Sequence, residues 1–336
     1  MKAYTVGSYA GVDGLVLSEI ADPPALAPGQ VRVKMHAASI NFRDLLMLKG
    51  AYSHWAKPGF SLTSDGAGEV VAVGEGVWRV KPGDRVALTF HRDWIGGVQP
   101  QSPAFLGRGG SIQGCLQQFS TVSQDEMVLL PPHLSYEEGA TLPCAGVTAW
   151  SALCAHAVLL PGQTVLVQGS GGVSVFALQL ARLFGARVIA TSSSDEKLAT
   201  LAKLGADTLI NYTKTPDWHQ AVLAATQGAG VDVAVEVGGA DTFPKTIEAT
   251  AQGGRISLVG LLTGLAQMSG SVFMRGLTLN TIRVGSREHF EQMNRAIAVN
   301  KLKPVIDRVF EFGQAQDALR YFEAQKHIGK VVIRVE

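Results

Sequence analysis

A chain of 336 residues is long enough for two domains, each with its own hydrophobic core. At 46% hydrophobic and 17% charged residues it cannot be an intrinsically disordered chain. A formal net charge of +1 gives no electrostatic ground for nucleic acid or acidic lipid as a main partner.

The opening MKAYTVGSYAGVDG reads as a strand and a turn, without the apolar segment of a secretory signal, and no apolar run reaches membrane-spanning length. Three cysteines (Cys115, Cys144, Cys154) with no C-x-x-C pair fit a reducing, cytoplasmic setting. QVRVKMHA (30–37), GEVVAVG (68–74), DRVALTF (84–90) and LQQFSTV (116–122) predict strands, with turns at Pro28-Gly29 and Pro82-Gly83. Many short strands with glycine-rich turns suggest a small barrel or sandwich. Residues 91–114 have no periodicity, and with Phe90, Trp94 and Phe105 they suggest a lid or simple apolar packing.

The stretch 164–191, TVLVQGSGGVSVFALQLARLFGARVIAT, is the most informative. The apolar run TVLVQ enters a turn at Gly169, Ser170, Gly171, Gly172 and Val173. A helical pattern follows, with apolar Val173, Phe176, Ala177, Leu180, Ala181 and Phe184 at i, i+3, i+4 spacing and Gly185 where a C-cap belongs. ARVIAT then reads as a second strand. Strand, glycine turn, helix and strand form the unit that seats a dinucleotide pyrophosphate on helical N–H groups. The third glycine of G-x-G-x-x-G is replaced by Ser174, the next small residue after alanine. Helices DEKLATLAKLG, PDWHQAVLAATQ and one around 241–251 then alternate with strands DTLINY, VDVAVEVG, RISLVG and LTLNTIRVG (277–285), which predicts a parallel doubly wound sheet. The tail gives a helix through Phe290, Met293 and Ile297, strand VIDRVFEF, helix QDALRYFEA and strand KVVIRV. There is no repeat and no low-complexity tract.

The β-rich front half, the GSGGVS turn, NFRDLLMLKGAY (41–52) and GKVVIRV (329–335) resemble the medium-chain dehydrogenase/reductase superfamily over essentially the whole chain. Within it, the chain resembles the zinc-independent quinone oxidoreductase, or zinc-type alcohol dehydrogenase-like, branch. The resemblance implies an α/β fold: a GroES-like β-rich catalytic domain (1–125 and 289–336) with a Rossmann doubly wound parallel sheet (126–288) inserted. It also implies an interdomain active site and a homodimer joined through the strand at 277–285.

Zinc members of this superfamily carry a cysteine in the loop aligned to Ser39–Asp44 and a His-Glu pair aligned to Ser64-Asp65. Here those places hold Asn41 and Ser64, whose amide and hydroxyl oxygens are poor zinc ligands. The loop at 91–114 contains none of the four cysteines of a structural zinc lobe. Cys154 and His156 lie in an apolar helical stretch, TAWSALCAHAV, and read as core or surface residues. No catalytic metal is expected.

The strand after the glycine turn ends in Thr191-Ser192-Ser193-Ser194, without the acid that holds an NAD ribose. Lys197 and Tyr212 stand where resembling reductases grip a 2′-phosphate, which favours NADP(H). Ser193-x-x-Glu196 also reads as a capping box, and Asp195 could turn inward and favour NAD(H). By resemblance, Thr148, Gly238, Val259, Gly260 and Val284 are further cofactor contacts, and Lys330 closes over the cofactor.

Without a Lewis acid, electron-poor acceptors are favoured: quinones, enones, enals and enoyl thioesters. Asn41 would lie near the nicotinamide and donate an amide N–H to the acceptor oxygen. Asp44 would serve catalysis, fixing Arg43 or the local fold, or simply pair with Arg43 as a structural bridge, and Tyr52 would line the pocket or supply a proton. Two other functions stay open: a zinc alcohol dehydrogenase, and a weakly catalytic, crystallin-like dinucleotide-binding protein.

Overall fold

The computed structural model describes residues 1–335 apart from 103, 261, 265, 266 and 268. The N-terminal elements are β1 (Lys2–Val6), β2 (Leu15–Glu19), β3 (Gln30–Ser39), α1 (Phe42–Leu48), β4 (Asp65–Val73), β5 (Arg85–Leu88), β6 (Phe119–Ser123), β7 (Met127–Leu129) and α2 (Tyr136–Ala140). A π-helical turn at Leu142–Gly146 leads into α3 (Val147–Cys154). Then come β8 (Thr164–Gln168), α4 (Gly172–Leu183), β9 (Arg187–Ser192), α5 (Asp195–Lys203), β10 (Thr208–Asn211), α6 (Trp218–Ala225) and β11 (Val231–Glu236). After α7 (Phe243–Ala249), β12 (Thr250–Leu258), α8 (Gly270–Met274) and β13 (Thr278–Thr281), the chain ends with α9 (Arg287–Asn300), β14 (Ile306–Phe310), α10 (Ala315–Glu323) and β15 (Lys330–Arg334).

These elements form two compact units, Met1–Val147 with Val284–Glu336, and Thr148–Arg283. The first holds a seven-stranded sheet ordered β14-β15-β3-β4-β5-β7, with β6 also paired to β3. Alternation drives β3, where Val31, Val33 and Met35 are buried while their neighbours are half-exposed. The tail strand β15 lies antiparallel to β3, with Val332 opposite Ser39, so residue 330 is delivered beside residues 40 and 41. Helix α10 covers this sheet through Ala315, Ala318, Leu319 and Phe322, the i, i+3, i+4, i+7 stripe of an amphipathic helix.

The second unit is a six-stranded, all-parallel sheet ordered β10-β9-β8-β11-β12-β13. Its inner strands are near-continuous apolar runs, such as Val165, Leu166 and Val167, as expected when both faces are covered. The strand order reverses between β8 and β11, the place where open α/β sheets bind ligands at their carboxyl edge.

The expected fold class is observed, and several boundaries differ. The first unit runs on to Val147 rather than ending at 125, because β7 extends the sheet through Val86 opposite Leu129. It resumes at Val284 rather than 289, since α9 belongs to it and Asn294 donates to Leu129 O at 2.9 Å. Strand β12 starts at Thr250, earlier than RISLVG suggests. Thr250 already pairs with Val231, and a register shift reaches Arg255 past Gly253, whose φ is +72°. The 277–285 strand is ordered as β13 only over Thr278–Thr281.

Candidate functional site

In the first unit, Asn41 stands between β3 and α1, and its backbone N–H donates to Asp44 Oδ2 at 2.8 Å. Asp44 also accepts from Arg43 Nη1 at 3.0 Å. The Arg43 guanidinium further donates to the carbonyls of Leu106, Arg108 and Gly109 and lies 5.1 Å from the Phe90 ring centroid. It thereby ties α1 to the 91–114 loop. The same loop is bonded to the start of α9 by Arg287 N to Trp94 O and Glu288 N to Ile95 O, each 2.9 Å. Tyr52 packs against the unit's core.

The Asn41 side chain sits in a ring of polar groups made of hydrogen bonds and one longer ion pair. Lys330 Nζ donates to Asn41 Oδ1 at 2.5 Å and to Ile40 O at 2.6 Å. Asn41 Nδ2 donates to Ser64 Oγ at 3.3 Å, and Ser64 Oγ donates to Asp65 Oδ1 at 2.8 Å. Asp65 Oδ2 lies 3.8 Å from Lys330 Nζ, closing the ring. Lys330 is 2% exposed and Asp65 fully buried. Burial pushes the Asp65 carboxyl up to about 6, with the Lys330 ammonium and the Asn41 and Ser64 donors opposing the rise and Asp44 adding to it. Burial likewise raises Asp44 against the pull of Arg43.

Lys330, expected to close over the cofactor, has a buried ammonium that donates to Ile40 O and Asn41 Oδ1 and lies 3.8 Å from Asp65 Oδ2. Sequence reasoning missed this because the partners lie 289 residues apart. It also passed over Cys144, in the π-helical turn, which feels Asp65 and Lys330 electrostatically and whose thiol burial holds well above its ordinary value. The Asn41–Ser64 pair does not fit a zinc ion. Its amide oxygen already accepts from an ammonium, and the amide nitrogen offers N–H where a dication needs lone pairs. Among the described residues no group of three His, Cys, Asp or Glu side chains is placed to hold a metal. Nearby, Thr63 has φ +66°, as does Val284; a β-branched residue in the left-handed region is strained.

In the second unit, the glycine turn joins β8 to α4. Gly169 has φ +74°, its N–H bonds to Thr191 O at 2.8 Å, and a Cβ there or on Gly171 would meet nothing within 4 Å. Gly171 is the α4 N-cap and supplies no side chain, so the amides of Gly172 and Val173 open the helix without a side-chain acceptor. Open space over uncapped helical N–H groups fits a dinucleotide pyrophosphate. Ser174 is buried and donates to Gln168 O at 2.5 Å, binding helix to strand where the usual glycine allows close approach.

At the end of β9, Ser192 is buried and Ser193 exposed. The helix cap is Ser194 rather than Ser193: its Oγ accepts from Lys197 N at 3.4 Å. Asp195 is exposed and held by Asn211 Nδ2 at 2.6 Å and by the Lys214 ammonium, which together lower its pKa. Lys197 is half-buried and Tyr212 41% exposed, at the start of α5 and the end of β10. Thr148 is buried in α3. Gly238, Val259 and Gly260 gather around Glu236, a residue the sequence reading passed over. Gly238 N donates to Glu236 Oε1 at 2.8 Å, while Val259 N and Gly260 N donate to its main-chain oxygen at 2.9 and 3.2 Å.

A β-rich unit with a buried polar cluster, and a six-stranded Rossmann sheet with an uncapped glycine turn, define the class: a two-domain dinucleotide-binding oxidoreductase. Residues 27–132 match the family model for the alcohol dehydrogenase GroES-like domain and residues 172–299 that for zinc-binding dehydrogenase. The chain is 41% identical to a zinc-type alcohol dehydrogenase-like protein of Schizosaccharomyces pombe, over 97% of both chains. It is 31% identical to 2-methylene-furan-3-one reductase of Solanum lycopersicum, over 99% of this chain and 79% of that one. A putative alcohol dehydrogenase from Sinorhizobium meliloti superposes with TM-score 0.93 at 35% identity, covering 99% of this chain and 98% of that one. Further structural neighbours are an NAD-dependent alcohol dehydrogenase (TM-score 0.89, 33% identity, 100% of both chains) and a crotonyl-CoA carboxylase/reductase in complex with NADP (TM-score 0.85, 25% identity, 100% and 95%). The chain belongs to the medium-chain dehydrogenase/reductase superfamily.

Proposed function

We propose that this oxidoreductase uses NADP(H) to reduce a quinone or an activated alkene or carbonyl (an enone, enal or enoyl thioester) without a catalytic metal. The observation that carries the reading is the locked Asn41 amide. With Oδ1 accepting from a buried ammonium and Nδ2 giving one proton to Ser64, the amide keeps a second N–H as the donor for an acceptor oxygen. The nicotinamide dinucleotide, when bound, supplies the hydride. As the hydride adds to the electron-poor carbon, the displaced electron pair moves onto the acceptor oxygen. Asn41 stabilises that oxyanion, Lys330 and Ser64 hold the amide in place, and Tyr52 lines the pocket.

NADP(H) is favoured over NAD(H) because the β9 end offers Ser192, Ser193 and Lys197, while Asp195 is neutralised by Lys214 rather than free to repel a phosphate. The named neighbours include users of each cofactor, so the preference rests on these side chains. We assign the protein to the cytoplasm on its three free thiols, and to a homodimer formed along β13, the last strand of its sheet.

The test follows loss of reduced-nicotinamide absorbance with NADPH and with NADH across quinones, enones, enals and enoyl thioesters, for the wild type and Asn41→Ala. NADPH-dependent turnover, with kcat/KM falling on loss of the amide by about 100-fold, is expected. Unchanged kcat/KM in the variant refutes the role of Asn41, and indifference to both cofactors refutes the function.

A further inference from the structure

Glu236 closes β11 and is 1% exposed, and among the described residues no cation is bonded to it. A carboxylate in such a place is expelled or neutralised unless hydrogen bonds replace its hydration. Here five donors do so. Oε1 accepts from Gly238 N at 2.8 Å, Gly239 N at 3.0 Å and Thr242 Oγ1 at 2.5 Å. Oε2 accepts from Gln168 Nε2 at 3.0 Å and from Thr246 Oγ1.

The position of these partners in the sheet matters more than their number. Gln168 is the last residue of β8, immediately before the glycine turn. Gly238 and Gly239 form the turn that follows β11. Strands β8 and β11 are parallel neighbours at the point where strand order reverses. The β8-β9-β10 side carries the expected adenine half of a dinucleotide; the β11-β12-β13 side carries the other half. The main-chain ladder, Val165–Val167 against Val233–Val235, sets the spacing of the two strands; beyond its end the Gln168–Glu236 side-chain contact links the two turns.

Gln168 is oriented by this contact. Both protons of its amide are spent, one on Glu236 Oε2 and the other on Thr246 Oγ1 at 2.6 Å, which leaves Oε1 buried without a partner. The main-chain oxygen of Glu236 also holds Val259 and Gly260 at the end of β12. Three successive carboxyl-edge loops thus hang on one residue.

We propose that Glu236, through Gln168, is a positioning residue that sets the glycine turn and the Gly238–Gly239 turn at the spacing a whole dinucleotide requires, without touching the ligand itself. The proposal rests on the dinucleotide reading above and adds to it a coupling between the two halves of the site. Removing the strut makes the protein supply that spacing from its binding energy, a penalty that falls on a ligand spanning both turns. A ligand confined to the adenine side escapes it.

The experiment measures binding, not turnover: calorimetry of NADPH and of adenosine 2′,5′-bisphosphate, its adenine half, on wild type, Glu236→Gln and Gln168→Met. Gln168→Met keeps side-chain length and leaves four donors on Glu236, so it reports even if Glu236→Gln does not fold. The NADPH Kd is expected to rise about tenfold in Gln168→Met, with the bisphosphate Kd changed by less than about twofold. Equal weakening of both ligands, or no weakening of NADPH in a folded variant, overturns the proposal. A wild type that binds neither ligand overturns the cofactor reading beneath it, and the two failures are told apart by that control.

Discussion

Replacing Lys330 by methionine removes the ammonium that closes the Asn41 ring while keeping most of the side-chain volume. Asn41 Oδ1 and Ile40 O lose their donor and Asp65 its counter-charge, in a place shielded from solvent. Breaking a buried pair in this way costs about 3–5 kcal/mol. The pH dependence identifies the cause. Asp65 titrates near 6 in the fold against an ordinary 3.8, so its contribution is fully present below about pH 4 and lost as pH rises through about 6, a span worth about 3 kcal/mol. Above that point the wild-type contribution levels off. Lys330 is the strongest influence holding the Asp65 value down, so without it the value climbs further. The variant then keeps losing stability at about 1.4 kcal/mol per pH unit where the wild type no longer does. Urea melts of both proteins between about pH 5 and about pH 8 measure the difference, which should widen on the alkaline side. A difference equal at both ends would refute the coupling between Lys330 and Asp65.

The cap assignment predicts that Ser194→Ala lowers stability by about 1 kcal/mol while Ser193→Ala leaves the melt of the free protein nearly unchanged; thermal denaturation of the pair distinguishes them. Lys197→Ala should raise the Kd for NADPH by about tenfold or more and leave that for NADH close to wild type, read by fluorescence titration. An equal loss for both cofactors would place Lys197 in the fold and not on the 2′-phosphate. Gly169→Ala puts a Cβ on a residue with φ +74° and should cost about 1–2 kcal/mol, with weaker binding of either dinucleotide. Because a Cβ there meets no atom, backbone strain and not collision is the predicted cause, and Gly169→Asn, which tolerates this region better, should recover part of the stability.

The features legible in the sequence are those written over a few neighbouring residues. The alternation of QVRVKMHA yields β3, and the apolar spacing from Val173 to Ala181 yields α4. Gly185 follows α4 with φ +72°, the left-handed conformation its C-terminal place calls for. Errors of one residue occur where several serines in a row could each cap, since only the backbone turn selects Ser194. Nothing local could show that β15 runs beside β3, and only that pairing delivers Lys330, expected to close over the cofactor, to Asn41. Glu236 and Gln168 carried a usable signal that was not taken up. Each is a polar residue that ends a short, largely apolar strand, TVLVQ or VDVAVE, where both sheet faces are covered. A carboxylate there has to be solvated by the protein, and its donors must come from whatever meets it at the carboxyl edge. In a doubly wound sheet those neighbours are the ligand-binding turns, so an acid that breaks the apolar pattern at a strand end marks where the loops of the site are fastened together.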